Sequence, residues 1–116
     1  MKKKYLDLYL LILNQTMKIY KSFEYGSIEG VINNRVATLL SLYIKPQYRG
    51  KGYGTLLLLD FLQESYKNNA IHITLDDCSD NYRKKNNIYT KYGLKYIYND
   101  NTMIGNIRNI INNIYK

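Results

Sequence analysis

The sequence contains few of the residues that build metal sites, disulfides and secreted folds. Its 116 residues include one cysteine, one histidine, one proline and no tryptophan. A zinc site takes four ligands, or three and a water, so we predict no bound metal. A lone cysteine also argues against a disulfide-built secreted fold. Cys78 and His72 do not form a nucleophile and base either, because the extended chain between them spans roughly 20 Å.

Acidic residues are also scarce. There are 9 of them against 17 lysines and arginines, which gives a formal net charge of +8. This balance favours an anionic partner. The basic residues are nevertheless dispersed along the chain, as is typical of a solvated surface. Charge alone is therefore weak support for nucleic-acid binding.

No apolar run is long enough to span a bilayer. The run Tyr5–Leu13 follows Lys2–Lys4 as in a signal peptide, but Asp7 interrupts it and no small-residue cleavage site follows. We expect a buried strand or helix there, in a cytoplasmic protein with no membrane partner. With 46% hydrophobic and 22% charged residues, residues 1–116 are expected to form one domain.

Apolar spacing predicts an alternation of strands and helices. Strands are expected at 17–25, 27–32, 36–44, 71–75, 94–98 and 102–107, and helices at 53–67 and 81–92. The first two strands are expected to turn at Gly26. The leucine run 56–59 predicts a helix covered on most sides. The isoleucines of 107–114 lie at helical spacing, and we expect them to pack on the domain's own core, with pairing to a second subunit as the alternative.

The segment 47–54, Gln-Tyr-Arg-Gly-Lys-Gly-Tyr-Gly, lies between a predicted strand and a predicted helix. Glycines at 50, 52 and 54 let the backbone approach a ligand, and the helix start offers unpaired N–H groups and a positive dipole end. Such a turn can bind phosphate. Neither a Walker A loop nor a dinucleotide fingerprint fits the spacing. A purely structural glycine-rich turn is the alternative.

The pattern Gln47-x-x-Gly50-x-Gly52 resembles the acyl-CoA pyrophosphate loop of the GNAT superfamily of N-acetyltransferases. The resemblance covers about residues 17 to 107. It implies a mixed α/β fold with a mostly antiparallel central sheet flanked by helices, here with a shortened amino-terminal region. It also implies acetyl-CoA as the acyl donor and a pantetheine arm bound along the strand end at 42–44. The implied CoA-binding residues are Leu42, Tyr43, Ile44, Gln47, Arg49, Gly50, Lys51, Gly52, Tyr53, Gly54, Thr55, Ser79 and Asn81.

A second match is the stretch 87–94, Asn-Ile-Tyr-Thr-Lys-Tyr-Gly-Leu, which looks like the family's "Leu-Tyr-x-Lys-x-Gly-Phe" signature. It places Tyr89 where family members often carry the tyrosine that protonates the departing thiolate. A phenol has a reference pKa of about 10, above about 8.5 for a thiol, so it would act by position and hydrogen bonding rather than by acidity. The alternative is a core aromatic, since the chain has 14 tyrosines.

The acidic segment 76–80 is unusual for the family and for a chain of this charge. Asp76 or Asp77 is a candidate base, because the strand 36–44 carries no carboxylate. The segment's alternative role is to cap the following helix. Ser79 and Asn81 do not match the family pattern cleanly, because the asparagine expected seven residues before the tyrosine is replaced by Tyr82.

These observations together predict an acetyl-CoA-dependent N-acetyltransferase acting on a primary amine of a small molecule or a protein lysine. A homodimer is compatible with the amphipathic carboxy-terminal segment. Two alternatives belong to other classes: a non-catalytic CoA-binding or regulatory module, and a basic nucleic-acid-binding domain. A CoA-binding assay separates the first two functions from a nucleic-acid-binding domain. An assay of acetyl transfer to a panel of amines then separates the enzyme from a non-catalytic CoA-binding module.

Overall fold

The structure is a computed structural model that describes residues 16–77, 87–97 and 101–116. Within these residues one six-stranded sheet has the order β1-β2-β3-β4-β6-β5. Its strands are β1 Met17–Phe23, β2 Gly26–Asn33, β3 Val36–Ile44, β4 His72–Asp76, β5 Lys95–Tyr96 and β6 Thr102–Asn106. Only β3 and β4 pair in parallel. The mixed, mostly antiparallel sheet predicted from the sequence is confirmed.

Three α-helices lie within the described residues: α1 Tyr53–Lys67, α2 Ile88–Lys91 and α3 Ile107–Tyr115. Helix α1 is the crossover that parallel strands require, here between β3 and β4. It packs on the sheet so closely that a Cβ on Gly30 would lie 2.4 Å from the Phe61 ring. The predicted bounds of β3 and α1 are confirmed residue for residue.

The predicted turn between β1 and β2 is wrong in position. The chain turns at Glu24 and Tyr25, and Gly26 is already the first residue of β2, paired with Ile44. A Cβ on Gly26 would lie 2.1 Å from the Tyr43 carbonyl oxygen. Glycine is therefore needed at this position for close strand approach and not for the turn.

The leucine run of α1 is less covered than its sequence predicts. Leu57 and Leu58 are buried, whereas Leu56 is 54% exposed. Consecutive helical residues point about 100° apart, so a core on one side cannot cover all of them.

Helix α3 packs on the domain's own core, as predicted. Ile107 and Ile110 are buried, and Ile111 and Ile114 pack against the same cluster. Asn106 caps the helix by accepting from the Asn109 N–H at 3.0 Å. In the described part of the chain, no helix combines the length and apolar character needed to cross a membrane.

Candidate functional site

Beyond Leu39, the edge of β3 on the side of β4 has no strand partner among the described residues, and we call the space beside this edge the gap. The two strands pair only from Val36 to Leu39 on β3, opposite His72 to Leu75 on β4. A register shift between Glu29 and Gly30 on β2 leaves Leu40 as an extra residue on β3. Such bulges bend a strand and increase its twist. Among the described residues, the carboxy-terminal half of β3 keeps β2 as a neighbour but has no pairing with β4, which ends at Asp76.

Backbone N–H groups of β3 face this gap. The Lys45 N–H donates to the Tyr25 carbonyl at 2.9 Å, on the β2 side. Because successive strand residues direct their N–H groups to opposite edges, those of Leu42 and Ile44 lie on the gap side. Tyr43 has its backbone on the β2 side and its ring 5.6 Å from the Arg49 guanidinium. The predicted strand-end residues thus supply two donors along an unpaired edge.

The glycine loop follows β3 through a 3-10 turn, Pro46–Tyr48, and leads into α1. Gly50 has φ +76° and Gly52 φ +88°, conformations that favour glycine. No heavy atom lies within 4 Å of a Cβ built on either residue. The space beside this backbone is open and accessible to a ligand.

The start of α1 presents free helix-end donors to that space. Gly52 is the N-cap and no side chain caps the helix. The first helical bond runs from the Leu56 N–H to the Gly52 carbonyl at 3.2 Å. The N–H groups of Tyr53, Gly54 and Thr55 precede it and have no intrahelical partner. Open space, positive-φ glycines and a helix start together fit a pyrophosphate group.

The polar side chains of the loop are exposed. Gln47 and Lys51 are exposed, and a cation at 51 is suited to an anionic ligand. The Arg49 guanidinium Nε donates to the Ile44 carbonyl at 2.8 Å, which folds this side chain back over the strand end. The Thr55 hydroxyl lies 3.4 Å from the Tyr92 hydroxyl.

Helix α2 brings Tyr89 to the same region. A Cβ on Gly54 would lie 3.7 Å from Ile88 Cδ1 and 3.9 Å from Ile44 Cγ1, so α2 sits beside the first turn of α1 and the end of β3. Tyr89 packs against the hydrophobic core. Burial raises the pKa of Tyr89 to about 12, and the negative charge of Asp77 adds to the rise. The phenol is therefore a protonated donor at neutral pH.

The two candidate carboxylates have different surroundings. Asp77 is buried, and its Oδ2 accepts from Asn87 Nδ2 at 2.9 Å and from the Tyr96 hydroxyl. Asp76 is exposed at the end of β4, where its Oδ1 accepts from the Thr102 hydroxyl at 2.9 Å. Alternation along the chain places Asp76 on the sheet face opposite the core and Asp77 on the core face.

Asn87 is a site residue to which sequence reasoning gave no role. Its Oδ1 accepts from the Thr90 N–H at 2.8 Å and so caps α2, while its Nδ2 donates to Asp77. The available signal was asparagine itself, a preferred residue at a helix start, but the predicted helix 81–92 placed Asn87 in its interior, whereas α2 begins at Ile88. Ser79 and Asn81 lie outside the described residues, as do Cys78 and Tyr82. Nowhere in ranges 16–77, 87–97 and 101–116 do three His, Cys, Asp or Glu side chains cluster as metal ligands.

Comparison with known proteins supports the same family. The family model described as "Acetyltransferase (GNAT) domain" matches residues 7–95. A search of curated proteins found no significant match.

Solved acetyltransferases share the fold. The PaiA N-acetyltransferase of Thermoplasma acidophilum, solved with coenzyme A, is 24% identical with a TM-score of 0.62, covering 90% of this chain and 70% of that one. The ribosomal-protein-S18-alanine N-acetyltransferase of Escherichia coli is 14% identical with a TM-score of 0.63, covering 87% and 76%. An acetyltransferase of Bacillus cereus is 17% identical with a TM-score of 0.57, covering 90% and 87%. At these identities the likeness establishes the fold alone.

Proposed function

The chain belongs to the GNAT family of acetyltransferases, and on that premise we propose that it transfers the acetyl group of acetyl-CoA to a primary amine. The observation that carries the proposal is the open backbone at Gly50 and Gly52, directly before an uncapped helix start. Acetyl-CoA is the acyl donor that fits this arrangement, since a pyrophosphate is stabilised by N–H donors and the positive end of a helix.

The gap between β3 and β4 is the proposed path of the pantetheine arm. The N–H groups of Leu42 and Ile44 on its edge are donors for the amide and thioester carbonyls of the substrate. A donor to the thioester oxygen stabilises the charge that develops there as the amine attacks. Because both donors are fixed by strand geometry, they need no reorganisation during the reaction.

Tyr89 is the proposed hydrogen-bond donor to the departing thiolate. Its pKa of about 12 lies well above the reference value of about 8.5 for a thiol. Complete proton transfer from the phenol would be uphill. Its proposed role is to stabilise the thiolate by hydrogen bonding, and Asp77 and Asn87 hold the short helix that carries it.

Asp76 is the proposed receiver of the amine's proton. Its carboxylate is exposed, on the sheet face opposite Tyr89. In this proposal the amine approaches the thioester carbonyl from the face of Asp76. Tyr89, the hydrogen-bond donor to the departing thiolate, lies on the other face. Asp77 is less suited to this task because it is buried and its Oδ2 accepts from both Asn87 and Tyr96, whereas Asp76 is exposed. We propose a cytoplasmic location and an acceptor that is a small amine or a protein lysine.

Acetyl-CoA is expected to stabilise the folded protein. A ligand at about 100 times its dissociation constant adds about 2.7 kcal/mol to the free energy of unfolding. The measurement is the melting temperature with acetyl-CoA, with sodium chloride at equal ionic strength as the control for nonspecific charge effects. An unchanged melting temperature at millimolar acetyl-CoA contradicts the proposal.

Turnover is tested with an amine panel, reading out free thiol. Small amines, amino sugars, polyamines and a lysine peptide cover the proposed acceptors. Binding of acetyl-CoA without thiol release from any acceptor would favour the non-catalytic module instead.

A further inference from the structure

The glycine loop is supported from outside by the turn between β1 and β2. The Tyr25 ring stacks on the Tyr53 ring with centroids 4.3 Å apart and an interplanar angle of 23°. The Tyr48 hydroxyl donates to Glu24 Oε1 at 3.1 Å. The Tyr48 and Tyr53 rings meet edge to face at 5.7 Å. The two turn residues therefore contact the residues on either side of the glycines.

Tyr25 is itself firmly held. Its ring packs against the hydrophobic core and stacks on its other side against Phe23, with centroids 5.3 Å apart and an interplanar angle of 3°. Its carbonyl accepts from the Lys45 N–H at 2.9 Å. One residue thus fixes the strand end before the loop through its backbone and the helix start after the loop through its ring.

A loop with two positive-φ glycines needs such external support. Glycine has the greatest backbone freedom of any residue, and that freedom is lost when the N–H groups converge on an anion. Support that fixes the loop before binding lowers this cost and raises affinity. Gly50 and Gly52 have no neighbour that would hold their positive φ by packing within the described part of the chain. The contacts at Tyr48 and Tyr53 supply the restraint at both ends.

We propose that Tyr25 is a positioning residue for acetyl-CoA, which holds the glycine loop in its binding conformation through the ring of Tyr53. This inference rests on the proposed function. Tyr25 does not touch the reacting atoms in this proposal, so its loss should weaken binding of the acyl donor and leave the chemical step intact.

The test compares three variants with the wild type. Tyr25→Leu removes the stack, Tyr25→Phe keeps it, and Tyr20→Leu changes an exposed tyrosine of the same hairpin whose ring has no partner among the described residues. For Tyr25→Leu we expect the Kd of CoA and the KM of acetyl-CoA to rise about 2- to 10-fold, the range of an aromatic pair, with kcat unchanged. Tyr25→Phe and Tyr20→Leu should both match the wild type.

Two results would overturn the inference. The first is a Tyr25→Leu protein that melts earlier but binds CoA with the wild-type Kd per folded molecule, since the stack would then serve stability alone. The second is an equal rise in Kd for Tyr20→Leu. A wild-type protein that does not bind CoA overturns the proposed function as well, so the two failures are distinguishable.

If Tyr25→Leu does not fold, Tyr25→Met provides the decision. This change keeps a long apolar side chain against the core and removes the ring stack on Tyr53. We expect the same rise of about 2- to 10-fold in the Kd of CoA. An unchanged Kd in Tyr25→Met overturns the inference.

Discussion

At the scale of single residues, Tyr89 shows how burial changes a side chain's chemistry. Its pKa rises to about 12 because the phenolate is poorly solvated there and faces the charge of Asp77. A group that holds its proton this firmly is a poor acid and a good hydrogen-bond donor at neutral pH. The proposed role of Tyr89 is limited to stabilising negative charge on the leaving sulfur.

The change Tyr89→Phe is expected to lower turnover without weakening CoA binding. The hydroxyl is proposed to act only as the C–S bond breaks, and removing one preorganised hydrogen-bond donor to developing charge typically lowers kcat about 100- to 1,000-fold. No group in the described ranges hydrogen-bonds this hydroxyl, so little stability should be lost. The measurements are the rate of thiol release and the melting temperature. An unchanged rate per folded molecule removes Tyr89 from the mechanism.

The raised pKa of Tyr89 also predicts a loss of stability at alkaline pH. An unfolded tyrosine ionises near pH 10, whereas the folded one keeps its proton to about 12. Between these values the folded state binds more protons, so the free energy of unfolding falls as pH rises. Two pKa units correspond to at most about 2.7 kcal/mol. Urea unfolding from pH 9 to 12 should show a shallower fall in Tyr89→Phe than in the wild type, and parallel curves would refute this.

At the scale of elements, the geometry of the glycine loop depends only in part on its own residues. Its two glycines have positive φ, and the position of the turn that they form depends on β3 before it and α1 after it. The structure also shows why a substitution at Gly52 should lower the stability of the fold. A β-branched residue at φ +88° is strained even where no atom obstructs it.

The change Gly52→Val is expected to weaken CoA binding beyond its effect on stability. The new side chain would occupy the open space in which we propose the pyrophosphate binds. The backbone strain of a non-glycine residue there is about 1 to 2 kcal/mol. Calorimetric titration with CoA, corrected for the folded fraction, gives the affinity.

The matched control for this prediction is Asn69→Val. Asn69 has φ +70° at the opposite end of α1 and is exposed. The substitution Asn69→Val therefore places a valine on backbone with a similar positive φ, at the end of α1 that lies away from the glycine loop. Equal losses of CoA affinity in the two variants would show that strain, and not obstruction of phosphate, explains the effect.

At the scale of the whole molecule, the net charge of +8 attracts any polyanion. Attraction of this kind is screened by salt. Donors fixed in a backbone loop depend less on bulk charge because they act at contact. Ionic strength therefore separates the acyl-donor site from nonspecific binding of nucleic acid.

We expect CoA affinity to fall much less steeply with salt than any affinity for nucleic acid. A protein that releases counterions from several phosphates loses roughly 1,000-fold or more between about 50 and 200 mM salt. Fluorescence titrations with a labelled oligonucleotide and competition with CoA would measure both slopes. A CoA slope as steep as that of the oligonucleotide would contradict the proposed backbone site.

The sequence by itself determined the elements whose cause is local. An apolar run specified β3 and a leucine-rich run specified α1, both at their observed bounds, and the glycine spacing specified the loop between them. Tyr89 could be proposed as a site residue from sequence because the family signature at 87–94 is one short contiguous stretch, so its information is also local.

Only the tertiary structure decided what depends on residues far apart in the chain. Gly26 is a close-approach residue because Tyr43 lies against it, and Asp77 is a buried partner of Asn87 and Tyr96 rather than a free carboxylate. The part of β3 that is left unpaired depends on where β4 lies against it, and the support of the loop depends on a turn some distance before it. Periodicity and motifs carry no information about such contacts, because their free energy comes from neighbours that only folding brings together.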